Sequence, residues 1–144
     1  MKWIEGIGAI LRAIARLITL TLWLCVSILQ QLLGLALRTG DGRHLRLRFY
    51  RGALRILGIR IRVYREFSPR RPLFIVANHV SYLDVFVLGS LIPAVFVSKH
   101  EVRRWPVVGA IAAMQRTIFI ERQRTRARAE IRPVTEALNH GDNV

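Results

Sequence analysis

The hydrophobic positions begin with one long apolar segment near the N-terminus. Residues 17–37 form 21 residues without a charge, which as a helix would be roughly 32 Å long, against about 30 Å for a bilayer's hydrocarbon core. The preceding stretch, WIEGIGAILRAIARL, repeats apolar residues at helical spacing and places Arg12 and Arg16 four residues apart. We therefore predict an interfacial amphipathic helix that leads into an uncleaved membrane anchor, together spanning residues 1–40.

The mode of membrane attachment has alternatives. Thr19, Gln30 and Gln31 dilute the apolar segment, so whether it crosses the bilayer is left open. A cleaved signal peptide would also be apolar, but no A-x-A cleavage site follows the run. Eleven arginines lie in residues 38–71, whereas only three cationic residues precede the anchor. The positive-inside rule therefore places the remaining chain on the cytoplasmic face of the inner membrane.

Residues 41–144 alternate between strand-like and helix-like patterns. HLRLRFYRGALRILG shifts to helical spacing and predicts a basic surface helix that lies on anionic lipid. Strands are predicted for IRIRVYRE, LFIVAN, AVFVS and TIFIER, and helices for residues 84–90, VVGAIAAMQ and QRTRARAEIRPVTEALNHG, the last of which stops at Gly141. This alternation predicts an α/β fold with a mostly parallel sheet and flanking helices. Because the last helix should lead into another strand, we expect residues 41–144 to be the N-terminal part of an incomplete domain.

The net charge of the chain predicts binding partners that carry negative charge. The chain has 23 Lys and Arg against 9 Asp and Glu, a net charge of +14, which predicts binding to phospholipid headgroups or to nucleic acid. No RRM, KH or helix-turn-helix signature is present, so we expect no nucleic-acid partner, although a membrane-tethered nucleic-acid-binding module is kept as an alternative. Cys25 is the one cysteine, which suits a reducing compartment, and no Cys or His spacing predicts a metal site.

The heptapeptide NHVSYLD carries the candidate chemistry. His79 follows the predicted strand LFIVA, at the sheet edge where α/β proteins usually bind ligands. His79 and Asp84, five residues apart, would not share one face of a helix. They can meet as a catalytic pair if His79 lies in a turn and Asp84 in the first turn of the next helix. A capping box, with Ser81 as cap and Asp84 reaching back to its amide, is the alternative, and both can hold together.

Three ordered blocks resemble the glycerophospholipid acyltransferase family, whose members include 1-acyl-glycerol-3-phosphate acyltransferases. The first is NH-x4-D at Asn78, His79 and Asp84. The second, SKHEVRRWPVVG, is similar to the family's SK-x-E and WP-x-x-G segment. The third, TIFIER, is similar to a block that ends F-I-D-R, with Glu121 in place of Asp and Arg116 where a glycine is common. The resemblance covers roughly residues 55–144 and stops where an F-P-E-G-T block would begin.

The resemblance implies an enzyme of phospholipid biosynthesis that acylates lysophosphatidic acid or a related lyso-lipid. The acyl donor would be acyl-CoA or acyl carrier protein, with no other cofactor. Neutral imidazole suits the removal of a hydroxyl proton, so His79 would be the base and Asp84 would orient its ring. Arg122, Lys99 and Asn78 would bind the acceptor. Lys99 could instead be a solvated charge in a loop, and Arg122 could instead form an ion pair with a nearby glutamate. For the chain as a whole, a lipid-binding fragment without catalysis is a further alternative to the enzyme and to the nucleic-acid-binding module.

Overall fold

A computed structural model describes residues 2–37, 42–121 and 127–144, and divides the chain into two compact units, Met1–Arg62 and Val63–Val144. The first unit contains helices α1 (Lys2–Ala36) and α2 (Arg43–Leu57). The second contains α3 (Leu83–Leu91), strand β1 (Val97–Lys99), a 3₁₀ helix (His100–Arg104), α4 (Val108–Met114), β2 (Ile118–Ile120) and α5 (Ala127–Asn139). Within the described residues the molecule is thus rich in helix, with a small parallel sheet.

The predicted amphipathic and apolar segments form one uninterrupted helix, α1, of 35 residues. Its part from Gly6 to Ala36 has a mean hydropathy of 1.8 and is long and apolar enough to cross a membrane. Two polar residues that dilute the segment are satisfied within it, because the hydroxyls of Thr19 and Thr21 donate to the carbonyls of Ala15 and Leu17 at 2.8 and 2.9 Å. This internal bonding lowers the cost of placing the two hydroxyls in an apolar environment.

Helix α2 packs closely against α1 through an aromatic side chain. Trp23 Nε1 donates a hydrogen bond of 3.1 Å to the carbonyl of Phe49. The ring lies over Gly52, where an added Cβ would come within 2.2 Å of it. A glycine at position 52 therefore lets the two helices approach. The prediction of a basic helix over residues 44–58 is confirmed, with α2 beginning at Arg43 and ending at Leu57.

The parallel sheet joins β1 and β2, with Val97 opposite Ile118 and Lys99 opposite Ile120. Residues 142–144 extend the hydrogen bonding beyond these strands. Asn143 forms an isolated parallel bridge with Ala94, while Val144 N–H donates to Leu73 O at 2.9 Å and Ile75 N–H donates to Val144 O at 2.7 Å. Alternate bonding to two residues of a neighbour is the parallel ladder pattern. Residues 142–144 therefore lie between the segment that starts at Leu73 and the segment that starts at Ala94.

The predicted strands are partly wrong. IRIRVYRE forms no strand, and its Tyr64 is 90% exposed. The apolar run LFIVAN is typical of a buried strand; in the structure it is not a regular strand, and Val76 is 82% exposed. Two backbone hydrogen bonds join LFIVAN to Val144. In AVFVS, Ala94 forms an isolated bridge and the last two residues lie in β1. The strand predicted for TIFIER is confirmed as β2, which has three residues.

The predicted helices agree with the structure better than the predicted strands do. Residues 84–90 lie in α3, and VVGAIAAMQ contains α4. The basic C-terminal helix is confirmed from Ala127 to Asn139, with Pro133 inside it, and residues 122–126 lie outside the described residues. Gly141, with φ 79°, follows the helix and confirms the predicted stop.

Gly109, at the start of α4, packs against the backbone of the preceding 3₁₀ helix. An added Cβ would come within 2.3 Å of the Arg103 carbonyl oxygen, which cannot move as a side-chain tip can. We expect Gly109→Ala to lower the free energy of unfolding by about 2–3 kcal/mol. The exposed neighbour Ala110 supplies the control, since Ala110→Gly should cost about 1 kcal/mol or less. Denaturant unfolding followed by circular dichroism measures both, and equal effects would contradict the close packing.

Candidate active site

The turn between LFIVA and α3 is built around the carboxylate of Asp84. The N–H groups of Val80 and Ser81 each donate to Asp84 Oδ2 at 2.8 Å. Ser81 Oγ in turn accepts from Leu83 N–H at 3.2 Å. Half of the predicted capping box is present, because Asp84 reaches back to the Ser81 amide. The other half is not, because α3 has Tyr82 as its N-cap and no side-chain cap hydrogen bond.

The same carboxylate oxygen contacts the histidine. His79 Nδ1 lies 3.2 Å from Asp84 Oδ2, so the turn holds the two side chains together as the sequence pattern allowed. The capping role and the His–Asp contact are compatible, since one oxygen serves both. The side chain of His79 is 61% exposed. With Nδ1–H directed at Asp84, the second ring nitrogen is the one free to exchange a proton with a substrate.

The pKa of Asp84 lies below its ordinary value of 3.8. The backbone N–H groups of Ser81 and Val80 are the main cause, because they stabilise the ionised carboxylate, and the charge and hydrogen bond of His79 act in the same direction. Desolvation opposes them. Asp84 is therefore held ionised at neutral pH, as an orienting carboxylate must be.

We expect the stabilisation that depends on the charge of Asp84 to disappear in acid. A lowered folded-state pKa stabilises the fold fully above the ordinary value of 3.8, and this stabilisation is lost as the pH falls through the lower folded value. Thermal melts of the wild type and of Asp84→Ala over a pH series measure it. The gap between the two melting temperatures should be widest near neutrality and narrow below pH 3.8; a gap independent of pH would show that the charge of Asp84 does not matter.

An open depression of about 390 Å³ adjoins the pair and is lined by His79, Val80, Ser81 and Tyr82. The Tyr82 ring meets the Trp105 ring edge to face, with 6.3 Å between centroids. This contact links the NH-x4-D block to the WP-x-x-G block. The sequence contains no signal for it, because the two rings are 23 positions apart and meet only through the fold.

Two of the three predicted binding residues are exposed. Lys99 ends β1 and is exposed, and Asn78 is exposed at the end of the LFIVA segment. Arg122 lies outside the described residues.

Arg116 takes the place where a glycine is common in the resembling block. Its φ of 62° is in the left-handed region that glycine favours, so the backbone has the conformation in which a glycine would fit. Its Nη2 lies 3.4 Å from Oδ2 of the buried Asp142. This ion pair is at the amino end of the sheet, away from the edge that carries His79.

Known proteins are similar in sequence to the second unit, Val63–Val144. The family described as Acyltransferase matches residues 60–144. The chain is 43% identical over 96 residues to a lyso-ornithine lipid O-acyltransferase of Rhizobium meliloti, covering 67% of this chain and 33% of the relative. It is 39% identical over 97 residues to a 1-acyl-sn-glycerol-3-phosphate acyltransferase of Neisseria gonorrhoeae, covering 65% of this chain and 38% of the relative.

The matched region includes all three sequence blocks and the His79–Asp84 turn. The chain spans between a third and two fifths of the length of these two relatives. No solved structure matches it. With a family match over more than half of its length, and with relatives that share the acyltransferase name, the chain belongs to the Acyltransferase family.

Proposed function

We propose that the protein transfers a fatty acyl group from a thioester donor to the hydroxyl of a membrane lyso-lipid. The observation that carries the proposal is the 3.2 Å contact between His79 Nδ1 and Asp84 Oδ2, on a histidine whose ring is accessible from an open depression. An ionised carboxylate at Nδ1 selects the ring tautomer and favours the imidazolium formed during proton transfer.

In this proposal His79 is the general base and no side chain becomes acylated. The second ring nitrogen of His79 removes the proton of the acceptor hydroxyl while its oxygen attacks the thioester carbonyl. The C–O bond forms, the C–S bond breaks, and the imidazolium returns the proton to the departing thiolate. Ser81 is not needed as a nucleophile, and its hydroxyl oxygen already accepts the Leu83 N–H.

The acceptor is proposed to be lysophosphatidic acid or a related lyso-lipid such as lyso-ornithine lipid. The names of the relatives supply these two candidates. Lys99, Asn78 and Arg122 are proposed to bind its polar headgroup at the carboxyl edge of the sheet, where a guanidinium can bind phosphate through two hydrogen bonds. The donor is proposed to be acyl-CoA or acyl carrier protein, both of which are anionic and suit a basic surface.

We also propose that a mostly parallel α/β sheet with flanking helices surrounds this site, in a domain of which residues 41–144 are the N-terminal part. The bonds of Asn143 and Val144 to both neighbouring segments support a further parallel strand there. Residues 1–40 are proposed to anchor the domain to the inner membrane among phospholipids, with the domain on the cytoplasmic side. The apolar α1 helix and the arginines that follow it support this placement.

An acyl-transfer assay tests the function. The product of the natural gene would be expressed in membranes and supplied with labelled acyl-CoA or labelled acyl carrier protein, each with lysophosphatidic acid or lyso-ornithine lipid. We expect a labelled diacyl product from at least one pair. If no pair gives product while the protein is folded and in the membrane, the assignment is wrong.

A further inference from the structure

The Tyr82 side chain forms one wall of the depression at His79. It is 74% exposed, although it lines the depression together with the histidine. The ring of Trp105 meets the Tyr82 ring edge to face, with 6.3 Å between centroids. An edge-to-face pair of this kind favours one relative orientation of the two rings. The position of the wall therefore depends on how firmly Trp105 is held.

The backbone of Trp105 is fixed by hydrogen bonds on both sides. Its N–H donates to Val102 O at 3.1 Å, and its carbonyl oxygen accepts the N–H of Gly109 at 2.9 Å. The two segments that supply these partners are in close contact, because a Cβ on Gly109 would come within 2.3 Å of the Arg103 carbonyl oxygen. Trp105 thus lies in a short loop of which both ends are held.

The turn that follows Trp105 is strained, which is a second and independent observation. Val107 has φ 64° and ψ −59°, and Val108 N–H donates across it to Pro106 O at 2.7 Å. These values describe the rare γ-turn with positive φ, which is unfavourable for a β-branched residue. Backbone strain persists only where the surrounding structure imposes it, and it concentrates at active sites and ligand-binding sites. The loop that carries Trp105 therefore has the character of a functional segment.

A cation–π contact connects this loop to the sheet. The Arg103 guanidinium lies over the Phe119 ring of β2, 5.8 Å from the ring centroid. Side chains that are supported by strands and helices are held more precisely than side chains on unsupported loops. Trp105 extends this support from the sheet to the Tyr82 ring.

We propose that Trp105 is a positioning residue for acyl transfer, which holds the Tyr82 ring as a fixed wall against which the lyso-lipid acceptor lies. The acceptor hydroxyl has to come within hydrogen-bond reach of His79, so the acceptor occupies the depression that this wall borders. The ring makes the same contact before and during the reaction, and such a contact lowers KM without raising kcat. This role of Trp105 rests on the proposed function.

Steady-state kinetics of the whole protein in membranes test the role. We expect Trp105→Leu to raise the KM for the lyso-lipid by roughly three- to tenfold, which is the range that one aromatic pair supplies. The kcat and the KM for the acyl donor should stay within about twofold of the wild type. Tyr64→Leu is the matched control, because Tyr64 is 90% exposed and does not line the depression.

A double-mutant cycle shows whether Trp105 acts through Tyr82. In a Tyr82→Leu background, Trp105→Leu should cause no further rise in KM, whereas Tyr82→Phe, which keeps the ring, should behave as the wild type does. Additive rises in KM, or a rise in Tyr82→Phe as large as in Tyr82→Leu, would overturn the proposal. Equal melting temperatures of the variants exclude unfolding as the cause.

Tyr82→Leu carries the test even if Trp105→Leu lowers stability, because the tyrosine side chain is 74% exposed. A normal KM for the lyso-lipid in Tyr82→Leu would refute the wall. An active wild type with an unchanged KM in Trp105→Leu would refute the role of Trp105 alone. No acyl transfer by the folded wild type would contradict the proposed function and the role of Trp105 with it.

Discussion

Replacement of His79 by alanine is expected to lower the rate of acyl transfer by roughly 10²- to 10⁴-fold, which is the usual contribution of a general base. The side chain is largely exposed and supports little of the packing, so the folded protein should persist. The rate would be measured with the donor and acceptor pair that the wild type uses, at equal amounts of membrane-bound protein.

A second histidine provides the matched control. His44 is exposed on α2, and His44→Ala removes the same chemical group without touching the turn at residues 78–84. We expect its rate to stay within about twofold of the wild type, as for a surface residue that lacks a catalytic role. A loss below tenfold for His79→Ala, or similar losses for both variants, would remove His79 from the mechanism.

Asp84→Asn is expected to separate the two roles that one oxygen performs. The asparagine carbonyl oxygen can still accept the N–H groups of Val80 and Ser81, so Asp84→Asn should lose only the part of the stabilisation that depends on the charge. It carries no charge to stabilise the imidazolium, and its amide group can turn toward His79 and favour the wrong tautomer. We expect turnover to fall by at least about 10²-fold.

Thermal melts and turnover numbers on the same preparations measure this separation. Asp84→Ala is the companion variant, because it removes both the charge and the acceptor and should lose stability as well as turnover. Normal turnover in Asp84→Asn would reduce Asp84 to a helix cap. A melting temperature of Asp84→Asn as low as that of Asp84→Ala would show that the amide oxygen does not replace the carboxylate as a hydrogen-bond acceptor.

The sequence predicted the features that depend on neighbours along the chain. The pairing of His79 with Asp84 was accessible because a turn of six residues, 79–84, determines it, and the helices followed from periodicity within single segments. The strands were less accessible, because a run such as IRIRVYRE becomes a strand only if a distant segment pairs with it. The Tyr82–Trp105 contact arises from packing between blocks, which local patterns do not encode.

The packing of Trp23 on Gly52 bears on how α1 can sit in lipid. Gly58, just beyond α2, lies close to Arg16 of α1, so the two helices run side by side in opposite directions. Five arginines lie on α2, and each would cost about 2.5–3.5 kcal/mol at the bilayer centre. An upright α1 would draw the exposed Arg48, Arg51 and Arg55 into hydrocarbon, whereas a hairpin lying flat would leave them among the phosphates. In the flat arrangement, the 35 residues of α1 would measure a footprint along one leaflet of the bilayer.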